Sequence, residues 1–118
     1  MRNFELEDRI TKFAGRCIKV CQALPLKKMG SANLADQLFR SSTSVAANYA
    51  EASHAESRKD FVHKLKIVLK ELNEARTWLK IIAEAEYVPP SSLSALITES
   101  DELTRILSSS VITAKKGL

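Results

Sequence analysis

Apolar residues recur along this chain at helical spacing in four separate stretches. In the first, Leu6, Ile10, Phe13, Cys17, Val20 and Leu24 follow one another at intervals of four and three residues. That spacing puts them on one stripe of a helix and predicts a helix from Glu5 to Leu24. Pro25 ends it, and Leu26-Lys27-Lys28-Met29-Gly30 leads to Ser31, a residue type suited to cap the next helix. A second seam runs through Leu34, Leu38, Ser41, Val45, Asn48 and Ala52, two of which are polar. After Ser53-His54-Ala55-Glu56-Ser57 comes the cleanest seam, Phe61, Leu65, Val68, Leu72, Ala75, Leu79 and Ile82, which predicts the longest helix. Tyr87-Val88-Pro89-Pro90 then interrupts the pattern, and Ser91 and Ser92 offer caps. The fourth stretch carries Leu93, Leu96, Leu103, Leu107 and Ala114, flanked by Ile97, Ile106 and Val111.

Four seams joined by short connections predict an all-α fold: a single antiparallel, up-down-up-down four-helix bundle over residues 1–118. Composition points the same way, since 45% of the 118 residues are hydrophobic, enough for one core, while three glycines and three prolines leave little turn chemistry for an all-β fold. Met1-Arg2-Asn3-Phe4-Glu5 lacks the apolar region of a secretion signal, and no apolar run approaches the roughly 20 residues that span a bilayer. A cytoplasmic protein without a membrane partner is expected. Cys17 and Cys21, four apart on one helix, read as buried thiols rather than as a disulfide, redox pair or metal site.

The second helix departs from an ordinary surface helix. From Ser41 to Ala50 it contains no charge. Gln37, Ser41, Ser44, Asn48 and Glu51 form a polar stripe beside the seam, and Thr43, Ala47 and Ala50 make a third face of small residues. One side packs on its own bundle, so the uncharged remainder predicts contact with another copy of the chain, a homo-oligomer, in which the stripe supplies hydrogen bonds between helices. A small-residue helix packed tightly within a monomer is the alternative.

Charge adds a second feature. Eighteen basic against fourteen acidic residues give a net charge of +4, which favours anionic partners. Arg9, Lys12, Arg16 and Lys19 stack along one side of the first helix, and Lys59, His63, Lys66 and Lys70 along the third, opposite its seam. Like charges at this spacing destabilise a helix by about 0.2 to 0.5 kcal/mol per pair, and a phosphate backbone relieves that repulsion. No aromatic residue alternates with the lysines, so contact with RNA or DNA would sense charge and not sequence. The competing reading is an ordinary solvated basic face.

Catalysis finds little support. Four-helix bundles hold paired metals with two Glu-x-x-His motifs, whereas this chain has one, Glu51-Ala52-Ser53-His54, with His63 nine residues further on. Glu71 and Glu74 read as ion-pair or hydrogen-bond partners for neighbouring helices, with Lys70 and Arg76 nearby, and Arg58 and Arg76 as snorkelling or interface groups close to the seam. There is no phosphate-binding loop or nucleophile signature. No catalytic, metal or cofactor site is expected.

The run Leu38-Phe39-Arg40-Ser41-Ser42-Thr43-Ser44-Val45-Ala46-Ala47-Asn48-Tyr49-Ala50-Glu51-Ala52, followed by Ser57-Arg58-Lys59-Asp60-Phe61 and Leu69-Lys70-Glu71-Leu72-Asn73-Glu74-Ala75, resembles the four-helix bundle proteins encoded in intervening sequences of bacterial 23S ribosomal RNA genes. They are related to the accessory variability protein of diversity-generating retroelements. Ser44, Asn48, Ala50 and Glu51 with Lys59-Asp60-Phe61 are the most specific part. The resemblance implies a bundle whose protomers close into a ring, typically a pentamer, with basic surface for nucleic acid and, in the retroelement branch, binding to a reverse transcriptase. Ala52 stands where a glycine often follows the motif, and Tyr49 where an aliphatic residue is usual. The expected function is a non-enzymatic oligomeric scaffold that binds nucleic acid through basic helix faces, with a nucleic-acid-processing protein as a candidate partner. The alternative is a structural or protein-interaction module with no nucleic-acid role, such as an accessory subunit to a reverse transcriptase.

Overall fold

Each seam becomes a helix. The computed structural model describes residues 3–118, with α1 (Phe4–Ala23), α2 (Ser31–Ala52), α3 (Arg58–Glu84) and α4 (Ser94–Lys115), and a short 3-10 turn, Pro90–Ser92, ahead of α4. Met1 and Arg2, part of the N-terminal segment read above for a secretion signal, lie outside the described residues. No strand occurs among the described residues, and none of their helices is long and apolar enough to cross a membrane.

Side-chain caps open two of the helices. Asn3 accepts the Leu6 N–H at 3.0 Å at the start of α1, and Ser57 accepts the Asp60 N–H at 3.0 Å at the start of α3. The other two begin differently from expectation. Gly30, at φ 81°, occupies the cap position of α2, so Ser31 is the first helical residue, and its buried hydroxyl has no hydrogen-bond partner. At α4 the prolines set a 3-10 turn in which the Ser92 hydroxyl donates to the Pro89 carbonyl, and the helix starts two residues later behind an uncapped Leu93. The serines proposed as caps are used within the turn. At the end of α2 no glycine is needed: Ala52 is buried and the chain leaves the helix through Ser53 in right-handed conformation.

All four seams meet in one core. Phe13, Leu38, Leu65, Leu72, Leu79, Leu103 and Leu107 are shut off from solvent. Two seam positions shift by one step around their helices, Val62 taking the inner place assigned to Phe61 and Tyr49, with Ser42, flanking Val45 where Asn48 was expected, while Ser100 and Val111 fill the gaps of the α4 seam. The helices form a rod of 50 × 21 × 20 Å.

Polar contacts fix which helices are neighbours. Lys64 of α3 meets Glu51 at 3.2 Å near the α2–α3 connection, while Arg40, further back along α2, reaches Glu71 and Glu74 further along α3. Arg76 of α3 meets Asp101 of α4 at 3.2 Å, and Arg58 lies against Gly117 beyond the end of α4. The α1 helix packs on α2, and touches α4 over the shortest stretch of any helix pair in contact. The connections at one end are tied together: Lys28 donates to the Glu86 carbonyl at 3.1 Å, and the Tyr87 hydroxyl donates to the Met29 carbonyl.

The last turn of α3 closes with Tyr87 N–H on the Ile82 carbonyl and Glu86 N–H on the Ala83 carbonyl, both at 3.1 Å. This closure puts Glu86 in the left-handed region, at φ 56°, where a side chain is disfavoured and glycine is usual. Replacing Glu86 with Gly should raise stability by about 0.5 to 1 kcal/mol, measured as a higher urea midpoint with an unchanged slope.

Candidate nucleic-acid interface

Packing decides which lysines stay available. With α2 on one side of α3, α4 on the other and the seam turned inward, α3 keeps one outward strip, occupied by Lys59, His63, Lys66 and Lys70, all exposed. Among the described residues none of these has a carboxylate within ion-pair distance. The α4 helix adds Lys115, whose ammonium lowers the pKa of Lys66 by direct repulsion. The basic group on α3 is therefore broader than the sequence stripe. Lys115 was missed because it follows the last seam residue of another helix, and only the bundle brings it alongside.

The α1 stripe has a different fate. Arg9 is bidentate to Glu99, with Nε to Oε2 at 3.1 Å and Nη2 to Oε1 at 2.7 Å, and also reaches Glu102 at 3.1 Å. Lys12 pairs with Asp8 on its own helix at 3.0 Å. Arg16 and Lys19 remain exposed and border an open groove of about 540 Å³ floored by Val20, Leu93 and Leu96. Two of the four cations assigned to this stripe thus have carboxylate partners, and because α1 and α3 are not packed together, the two stripes do not merge into one surface.

On α2, the polar stripe runs along the boundary with α3, between Arg40 and Glu51, which both reach that helix. Of the stripe, Glu51 bonds between helices, to Lys64 of α3, while Ser41 and Asn48 bond within α2. The Ser41 hydroxyl donates to the Gln37 carbonyl at 2.9 Å, and the Asn48 amide donates to the Ser44 carbonyl at 2.9 Å. Ser41 is buried, Gln37, Ser44 and Asn48 are half-buried, and Glu51 is exposed. The side left facing solvent carries Phe39, 49% exposed, with Ala47 and Ala50 and the half-buried Thr43. It is uncharged from Ser41 to Ala50, with exposed Asp36 and Arg40 ahead of that stretch.

The residues weighed for chemistry are occupied structurally. Glu71 and Glu74 bind Arg40 of α2, not Lys70 or Arg76, while Arg76 donates to Asp101, Thr104 and Asn73. Glu51 is paired with Lys64, and His54 is exposed. No three His, Cys, Asp or Glu side chains converge among the described residues. Burial, reinforced by the neighbouring Cys21, pushes the Cys17 thiol up to about 12, which removes its nucleophilic form near neutral pH.

A family model described as "23S rRNA-intervening sequence protein" matches residues 2–109. No curated protein matches the chain. Among solved structures, it is similar to a Bacteroides thetaiotaomicron protein of unknown function from the S23 ribosomal protein family. The two are 33% identical with a TM-score of 0.81, over 90% of this chain and 97% of the other.

Arg9 is the main polar link across the sparse α1–α4 contact, and its hydrogen bonds hold the Glu99 carboxyl below its usual pKa. A carboxyl lowered on folding adds stability above its unfolded pKa of about 4.3, and loses it as pH falls through the folded value. Glu99→Gln should cost about 1 kcal/mol at pH 7. That difference from the parent protein should vanish in urea titrations below the carboxylate range.

Proposed function

Because the chain belongs to the 23S rRNA-intervening sequence protein family, we propose that it is a non-enzymatic scaffold that assembles with copies of itself and binds nucleic acid through the outward face of α3. The reading combines an antiparallel up-down-up-down bundle, a ring-shaped homo-oligomer, pentameric by the family resemblance, and a cytoplasmic setting. The observation that carries it is the group Lys59, Lys66, Lys70 and Lys115, which gathers on one face without neutralising carboxylates, whereas Arg9, Lys12, Arg40, Lys64 and Arg76 are paired. Lysines held close without counter-ions gain from a polyanion that supplies them. Sequence preference is not part of the proposal, since lysine contacts to phosphate carry no base information.

Self-assembly is supported by the uncharged stretch from Ser41 to Ala50 on the outer side of α2, where Phe39 stands beside Thr43, Ala47 and Ala50. Small side chains let a second helix approach closely, and an exposed phenylalanine gives it something to cover. A second reading, a protein-interaction module such as an accessory subunit to a nucleic-acid-processing enzyme, is favoured by Leu26 and Met29, which are 93% and 91% exposed in the α1–α2 connection.

Labelled RNA and DNA should bind at low salt. With about four phosphate contacts per protomer, affinity should fall roughly a hundredfold between 50 and 200 mM salt; absence of binding at low salt would refute the reading. Light scattering at micromolar concentration should return a multiple of the 13.1 kDa chain mass. Ala47→Glu should reduce that mass towards one chain while helical circular dichroism is retained, and a monomeric parent protein would remove the assembly claim.

A further inference from the structure

The shape of the α3 face carries information about the form of nucleic acid it suits. Resting on the nucleic-acid reading above, we infer that this face is built for a duplex gripped along its phosphate backbone, and not for a single strand.

At 1.5 Å per residue, Lys59 and Lys66 stand about 10.5 Å apart along the helix axis, and Lys66 and Lys70 about 6 Å. They lie in the middle and first half of a 27-residue helix buried along its other sides, so the row is straight and rigid. The end of α4 lies beside the start of α3, where Arg58 stands against Gly117, so Lys115 adds its charge to the same region as Lys66, while Lys59 and Lys70 extend the row along the axis.

A duplex is also straight and rigid, with one charge per about 1.7 Å of axis over its two strands, so the roughly 17 Å row runs along a length that holds about ten phosphates, part of them on the near side. A single strand of the same axial length presents about half as many and must be straightened to match, at an entropic cost. Single-strand binders offset that cost by stacking bases on aromatic rings. This face offers none: Phe61 is half-buried against the core, Trp78 is half-buried with its indole N–H directed to Glu74, and Tyr87 belongs to the connection at the far end of α3.

The test compares fluorescence anisotropy of labelled RNA and DNA duplexes of roughly 20 bp with oligo-U and oligo-dT of equal length, at matched salt. The proteins are the parent chain, a K59Q/K66Q/K70Q variant and an R16Q/K19Q variant, each checked for its fold by circular dichroism and thermal melting. The expected result is binding of both duplexes about tenfold or more tighter than the single strands, because the duplex is the denser polyanion. The α3 variant should lose at least about tenfold in duplex affinity, and its salt slope should fall by about 2.7, or 0.9 for each lysine removed. The R16Q/K19Q variant should stay within about twofold of the parent. Single strands binding as tightly as duplexes would overturn the inference while leaving nucleic-acid binding intact. So would a loss confined to the R16Q/K19Q variant. Binding of neither form would instead overturn the functional reading on which the inference rests.

Discussion

The bundle depends on burial along α3. Leu65, Val68, Leu72, Ala75, Leu79 and Ile82 are removed from solvent, and the same helix packs on both α2 and α4. Each fully buried aliphatic side chain contributes about 1.5 to 3 kcal/mol relative to exposure, so this seam outweighs the partly exposed ion pairs, whose individual worth is about 0 to 1 kcal/mol. With the inward side committed to the core and the flanks to neighbouring helices, one outward strip remains on α3. The seam thereby determines which lysines of the helix share a surface.

The polar contacts sort the helix pairs into two kinds. Along α2 and α3, Arg40 with Glu71 and Glu74, and Lys64 with Glu51, lie at the edge of an extensive apolar contact. Between α1 and α4 the apolar contact is short, and Arg9 with Glu99 and Glu102 bridges helices that otherwise diverge around an open groove. The same residue types thus act as trim on one pair and as a principal link on the other, because their weight depends on how much apolar surface is already joined.

Helix number, order and approximate limits were legible in the sequence because apolar periodicity reports directly on the buried stripe. Ends were less legible. Ser31 and Ser92 have the chemistry of caps, but Gly30 and the proline turn settle those ends through backbone conformation, which side-chain identity reveals poorly. The α3 basic strip was readable from spacing alone, whereas the contribution of Lys115 and the pairing of Arg9 with α4 join residues far apart in the chain, and require the bundle to be assembled before they appear. The stripe on α2 stood out in the sequence as unusual for a solvent-facing helix. Its Ser41 hydroxyl and Asn48 amide bond to carbonyls four residues back, which lets these two groups sit along α3 without a partner from another helix.

The short contact between α1 and α4 also bears on how the molecule opens. Stability in a bundle is distributed according to local packing, and helices with few apolar neighbours separate at lower free energy than the whole chain unfolds. Here α2 and α3 form the best-packed pair, while α1 is secured on one side by α2 and on the other mainly by a single arginine. Slow hydrogen exchange should therefore concentrate in α2 and α3, and the amides of α1 should exchange through a partial opening that leaves this pair intact. The groove flanked by Arg16 and Lys19 is then the visible edge of the bundle's most easily parted seam.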